Sequence, residues 1–239
     1  MDYYWNPWHG CQKISPGCEN CYVYSIDATH GKNAFEIRKN ADFDLPIQRN
    51  KNGYKIPSGG LVYTCFSSDF LLDKADGWRA DAWRFMKERS DLEFLFITKR
   101  IHRFMQCISE DWGGGYPNVT VGCTCEDQAR AEYRIPYFSE APVAHKFLVC
   151  EPLLERIDLS VLAEEMHGIE SVTVGGESGD AARVCDYDWV LAIRDFCVMQ
   201  GIGFSFHQTG AHFLKNGNEY RIPKKWQREQ AKRAEIDFL

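Results

Sequence analysis

The sequence has no long hydrophobic run. No apolar stretch approaches the ~18 residues that a membrane-spanning helix needs, and no basic segment followed by an apolar core stands at the N-terminus, so neither a span nor a secretory leader is expected. It also lacks a surplus of positive charge: 28 Lys and Arg against 34 Asp and Glu leave a formal net charge of -6. That balance argues against coating nucleic acid through bulk charge, while a local basic groove stays open. Internal repeats and low-complexity tracts are absent. Ten cysteines are present, but they form no even disulfide ladder, and a chain of 239 residues can bury one substantial core without staples. Thiols are therefore expected, some of them for metal, in a single domain spanning 1-239 of a cytoplasmic protein.

What is there has a rhythm. LVYTCF (61-66), LEFLFIT (92-98), NVTVGC (118-123), HKFLVC (145-150), SVTVGG (171-176) and GFSFHQ (203-208) recur along the chain, each nearly continuous in apolar or small residues. Strands covered on both faces read this way. Between them ADGWRADAWRFMKERS (75-90) sets Trp78, Ala82, Phe85 and Met86 at helical spacing. EDQARAEYRIPYF is expected to be helical up to Pro136, and YDWVLAIRDFCVMQG (187-201) ends on a glycine suited to a helix C-terminus. Alternating strands and helices predict an α/β fold with a parallel sheet of about six to seven strands, counting a short one near Tyr3-Trp5. A closed or partial β/α barrel fits that count better than a short open sheet. Residues 28-60, rich in Lys, Asn and Gly, break the rhythm and read as an insertion or lid, and 211-239 as a C-terminal extension.

In parallel α/β folds ligands gather at the carboxyl ends of the strands. Those ends carry Ser67-Ser68-Asp69, Thr98-Lys99-Arg100, Thr124-Cys125-Glu126-Asp127, Glu151-Pro152, Glu177-Ser178 and His207-Gln208-Thr209. Any one Ser, Thr or Asp among them is explained by helix capping. All six together suggest a polar mouth, in which Lys99 or Arg100 balances a carboxylate.

The N-terminal segment WNPWHGCQKISPGCENCY holds Cys11, Cys18 and Cys21, spaced C-x6-C-x2-C. Three readings apply. They are buried thiols acting as small hydrophobes; or zinc ligands, with His9 or His30 completing four; or three thiolates on a 4Fe-4S cluster with one iron left open. Gly10, Pro16 and Gly17 would let the backbone wrap closely round a cluster, which makes the third the best fit.

A cluster loop near the N-terminus followed by β/α units resembles the radical S-adenosylmethionine (radical SAM) superfamily. More closely, WNPWHGCQKISPGCENCY, SSDF, FLFITKR, VCEPLLERIDL, VGGESGDAARV and FSFHQTG resemble an uncharacterised bacteriophage and prophage family, over roughly residues 4-210. The superfamily usually shows C-x3-C-x2-C; here the first gap is six residues, and Gly175-Gly176-Glu177 comes too late in the chain to inherit the role of the superfamily's Gly-Gly-Glu motif. The resemblance implies Cys11, Cys18 and Cys21 on a 4Fe-4S cluster, SAM as cofactor, and an electron donor such as flavodoxin or ferredoxin. For SAM, strand-end position nominates Ser67 and Asp69, then Thr98 and Lys99, with Glu126 and Glu151. Cys125 would return a hydrogen atom to a product radical, against the plainer reading of Cys123, Cys125 and Cys150 as packing.

For substrate, the phage resemblance implies a nucleobase of DNA or a nucleotide, with isomerisation of an amino-acid-modified thymine as one form, in the cytoplasm of the host or of a bacterium. Trp5, Trp8, Tyr22 and Tyr24 are candidates to stack a base. Lys32, Lys39 and Lys51, with His30, Arg38 and Lys55, give 28-60 a basic character, and Glu177, His207 and Gln208 add polar contacts. The basic RIPKKWQREQAKRAE near the C-terminus reads most simply as a solvated helix. Two alternatives stay open: a zinc-bearing nucleic-acid-binding or repair protein without radical chemistry, and a radical SAM enzyme acting on a small metabolite or peptide.

Overall fold

The computed structural model describes residues Asp2 to Phe238. Seven strands form one sheet: β1 (Asp2–Trp5), β2 (Leu61–Thr64), β3 (Glu93–Thr98), β4 (Val119–Thr124), β5 (His145–Cys150), β6 (Ser171–Gly175) and β7 (Gly203–Gln208), in the order β1-β2-β3-β4-β5-β6-β7. All six apolar runs and the short N-terminal one become its strands. Strand order equals chain order, as successive right-handed crossovers produce. Helices α1 (Tyr22–Thr29), α2 (Asp76–Glu88), α3 (Phe104–Cys107), α4 (Gln128–Glu140), α5 (Tyr187–Gln200) and α6 (Lys224–Lys232) lie among and after them.

The chain divides into two compact units. The first contains the segment ending at Lys13, Val23–Gly122 and Glu140–His145; the second contains Ile14–Tyr22, Cys123–Ser139 and everything from Lys146. Within the first, β1 runs parallel to β2 with Trp5 opposite Thr64, and β2 parallel to β3 with Val62 opposite Phe94. Its core is aromatic. Trp83 is buried, stands 4.6 Å from Trp112 and 4.7 Å from Phe70, and donates its indole N–H to the Cys107 carbonyl at 2.7 Å. The helical spacing points to Trp78 as an inward residue of α2; Trp83 takes the central place and Trp78 is half-buried.

The 28–60 segment of this unit has structure of its own. Arg38–Lys39 pairs antiparallel with Trp8–His9, and Arg49–Asn50 with Gly53–Tyr54. Arg89, wholly buried, holds it: the guanidinium donates to the carbonyls of Pro46 and, at 2.8 Å, Ile56, and pairs with Asp91. Its carbon lies 4.1 Å from the centre of the Tyr54 ring. Paired and hydrogen-bonded in this way, a buried charge is tolerated.

Within the second unit β5, β6 and β7 are parallel, and the register shifts after Val174: Val174 faces Phe206 but Gly175 faces Gln208. His207 is the extra residue of this irregularity. Helix α4 runs through Pro136 rather than stopping before it. Proline removes the donor for the Glu132 carbonyl, and Glu132 is exposed, so water can satisfy that group. A three-stranded sheet joins Val184–Asp186, which lies between β6 and α5, to His212–Lys215 and Asn218–Arg221, which lie between β7 and α6. Asn216 and Gly217, both at positive φ, make the turn of its hairpin, as Asn-Gly does in two-residue loops.

Candidate cysteine-loop site

In the first unit the loop after Trp8–His9 carries Cys11, and several bonds fix it. The Gly10 N–H donates to the Ser67 carbonyl at 3.2 Å, and the Cys11 N–H to the Ala34 carbonyl at 2.8 Å. The Ser68 hydroxyl donates to the Gly10 carbonyl, and the Tyr24 hydroxyl to the Cys11 carbonyl at 2.8 Å. Gly10 sits at φ +87, and a Cβ there would stand 2.5 Å from the Glu36 carbonyl oxygen. Only glycine fits.

Beneath the loop, Asp69 gathers the ends of β2 and β3. Its Oδ1 accepts from the Leu71 N–H (2.9 Å) and the Thr98 hydroxyl (2.8 Å), and its Oδ2 from the Lys99 N–H (3.0 Å) and Arg100 Nη1 (3.1 Å). Burial pushes this carboxyl up, but the Arg100 guanidinium and the Lys99, Thr98 and Leu71 donors outweigh it and hold it below the usual carboxylate range. Arg100 in turn donates to the Gln12 carbonyl and places Nη1 3.9 Å from the Cys11 sulfur. Both Asp69 and Arg100 are buried. Ser67 is half-buried, its N–H on Asn6 Oδ1 at 3.0 Å, and Lys99, in the same unit, is half-buried too.

Trp8 is a core residue: it is fully buried, its ring 5.2 Å from that of Phe70 and its indole N–H on the Asp69 carbonyl at 3.3 Å. Trp5 is buried too. Lys32, Lys39 and Lys51 are exposed, following α1, in the short strand Arg38–Lys39 and in the Arg49–Tyr54 hairpin; Lys39 lies over the Phe43 ring at 3.8 Å.

In the second unit, Ile14–Tyr22 carries Cys18, buried in a short 3-10 turn (Pro16–Cys18), and Cys21, half-buried. Glu126, wholly buried, accepts the Gly17 N–H on Oε1 at 3.1 Å, while Arg134 of α4 reaches its Oε2 at 2.7 Å. Gly17 lies so close that a Cβ would meet the Glu126 side chain at 3.0 Å. A second carboxylate grips the other side of the loop. Glu177 accepts from Asn20 Nδ2 at 3.0 Å and from Arg183 Nε at 2.9 Å, and Arg183 donates onward to the Pro16 carbonyl at 3.0 Å. Burial pushes Glu177 up, and Arg183 and Asn20 more than reverse this, leaving it below its usual value.

Glu151, at the end of β5, collects the irregular end of β7. Its Oε2 lies 2.7 Å from His207 Nδ1, and Gln208 donates to Oε1. The Ser178 hydroxyl links Gln208 (3.0 Å) to Gln227 (2.8 Å). Gly175 leaves room for the carboxylate, since a Cβ there would come within 2.6 Å of Oε2. His207 keeps 38% of its side chain exposed, enough to meet a ligand. Cys125 is buried, its thiol directed to the Arg130 carbonyl at 3.7 Å, and burial, then the neighbouring Cys123, pushes it well above the ordinary thiol value.

Sequence reasoning named the carboxylates but not all their partners. Arg134 stands eight residues beyond Glu126 on the following helix, and Asn20 lies inside the C-x2-C; Arg183 carries no local signal at all. Of the ten cysteines only Cys11 and Cys21 escape full burial, and among the described residues no disulfide forms.

A family described as a protein of unknown function, DUF5131, matches residues 1–237. The chain belongs to that family. Nothing among curated proteins matches it. Among solved structures this DUF5131 chain is similar to a point mutant of spore photoproduct lyase, at 14% identity and a TM-score of 0.52, over 96% of this chain and 71% of that one. At such identity the likeness is one of fold: α/β, with the seven-stranded parallel sheet of a partial β/α barrel. No helix among the described residues is long and apolar enough to cross a membrane.

Proposed function

We propose that this DUF5131 protein is a radical SAM enzyme whose Cys11, Cys18 and Cys21 hold a 4Fe-4S cluster. The observation that carries the reading is the likeness of fold, over 96% of the chain, to spore photoproduct lyase, a radical SAM enzyme. The donor set fits in kind: three thiols in one short N-terminal stretch, two of them the least buried cysteines of the chain. Among the described residues no three His, Cys, Asp or Glu side chains are gathered closely enough to hold a metal ion, so the fit lies in donor chemistry and loop rather than in a closed ligand shell. Such a cluster, held by Cys11, Cys18 and Cys21, would supply one-electron reducing chemistry for the cleavage of SAM.

The protein's own part is to hold and to shield. Arg100 sets a positive charge beside the Cys11 sulfur, where a thiolate ligand carries negative charge. Asp69 positions Arg100, and Glu126 and Glu177 position the Cys18 and Cys21 loop through Gly17, Asn20 and Arg183. Contacts to SAM fall to Ser67, Thr98 and Lys99 in the first unit and to Glu151 in the second. Substrate, which we propose to be a nucleobase or nucleotide, meets His207 and Gln208. Cys125 as hydrogen donor belongs to the same proposal.

Anaerobic reconstitution with iron and sulfide tests the reading. Brown protein that absorbs near ~400 nm, bleaches with dithionite and releases 5'-deoxyadenosine from SAM only with reductant is the expected result. Cys11→Ala, Cys18→Ala and Cys21→Ala should each lose iron and SAM cleavage while staying folded. Colourless protein with stoichiometric zinc overturns the proposal.

A further inference from the structure

One cavity of the second unit has no cysteine in its lining. It measures about 540 Å³, within the range of small-molecule sites, and is built from β7, α5 and the C-terminal extension. It shares no residue with the Glu151, His207 and Gln208 cluster. Its floor is aromatic: the Phe213 ring stands 5.8 Å from Tyr187 and 6.0 Å from Phe206. At its rim Tyr220 and Trp226 remain 49% and 46% exposed.

The charge at this rim runs against the chain as a whole. Lys215, Arg221 and Arg233 line the cavity, and no acidic residue does. Residues 211-239 carry seven Lys or Arg against four Asp or Glu, in a protein of net charge -6. Two of the three cations keep most of their surface in water: Arg221 is 73% and Arg233 63% exposed, each touching one glutamate outside the lining, Glu219 at 3.7 Å and Glu229 at 3.2 Å. Lys215 lies over the Tyr187 ring at 4.3 Å, poised at the boundary between the aromatic floor and solvent.

We infer that this cavity binds a nucleotide unit, its base against Trp226 or Tyr220 and its phosphate on Arg221 and Arg233. A flat π-face joined to an anion is the ligand chemistry that aromatic rings beside solvent-exposed guanidinium groups recognise, and it occurs both in free nucleotides and along single strands. A purely apolar ligand would leave the guanidinium groups idle. A simple anion would have no use for the exposed rings.

The test is titration of the whole protein with dTMP, thymidine, inorganic phosphate and an oligothymidylate, read by Trp fluorescence and calorimetry. dTMP or the oligomer should bind, more weakly as salt rises. Tighter binding of the oligomer with a steeper salt slope identifies a strand as the source, and equal binding a free nucleotide. Trp226→Ala should weaken binding roughly tenfold, and Arg221→Gln with Arg233→Gln at least tenfold, both with little change in melting temperature because these side chains are largely exposed. Trp226→Phe, which keeps a stacking face, should restore most of the affinity. The inference fails if neither nucleotide probe binds, if phosphate alone competes as well as dTMP, or if the variants bind as wild type does.

Discussion

Replacing Asp69 by Asn tests the arrangement below Cys11 most directly. The amide keeps one acceptor oxygen for the Leu71 N–H and the Thr98 hydroxyl, but its NH2 then faces the Lys99 N–H and the Arg100 guanidinium, donor against donor. Side-chain exposure is 7% on both sides of the Asp69–Arg100 pair, so water offers little relief. Removing one partner of such a pair costs about 3-5 kcal/mol. In a chain of this size that corresponds to a fall in melting temperature of roughly 6-20 °C. Five of the seven tryptophans, Trp5, Trp8, Trp78, Trp83 and Trp112, lie in the first unit, so intrinsic fluorescence in a urea or thermal series reads the affected part. Iron uptake should fall in parallel, because Arg100 would no longer be held on the Gln12 carbonyl. Adding Arg100→Met, which removes the stranded cation, should recover more than half of the lost stability. A loss below about 1 kcal/mol, or no recovery in the double variant, refutes the argument.

Three further outcomes follow from the same geometry. Gly10→Ala should disturb the Cys11 loop by at least about 1-2 kcal/mol from backbone conformation alone, with the clash on Glu36 added; iron content and a melt check it. Gly175→Ala should push the Glu151 carboxylate off His207, which the imidazole NMR signals of His207 will report. Glu177 has a folded pKa below its unfolded value of about 4.3, so its contribution is complete above that pH and disappears as pH falls through the folded value. Amide protection factors of residues 14–22, corrected for the intrinsic pH dependence of exchange, should fall on acidification from pH 6 to pH 3, and Glu177→Gln should abolish that dependence.

The strands were legible because parallel strands buried on both faces must be apolar throughout, as HKFLVC and SVTVGG are. The path of α4 past Pro136 was not, because whether a freed carbonyl meets water is decided by tertiary exposure. The C-terminal hairpin carried a readable signal in Asn216-Gly217 between FLK and NEYR, but its second strand, exposed and polar throughout, lacks the alternation that marks a half-buried sheet. At the candidate site the carboxylates could be collected from strand-end position alone. Their arginine partners could not, since Arg183 reaches Glu177 through the fold of the second unit and no spacing announces it. Trp8 shows the reverse case: an aromatic beside a cysteine loop looks like a stacking surface in sequence, yet Phe70 already covers it.

Arg89 fastens the 28–60 segment by grasping main-chain carbonyls at Pro46 and Ile56. Every residue type offers the same carbonyl, so these two hydrogen bonds do not depend on which side chains the segment displays, unlike the contact of Arg89 with the Tyr54 ring. Selection is thereby free to rewrite the outward surface of 28–60, lysines included, while its mooring stays intact. In relatives of this chain the exposed side chains of the segment can diverge without a matching change in the body that carries it, provided the arginine is kept.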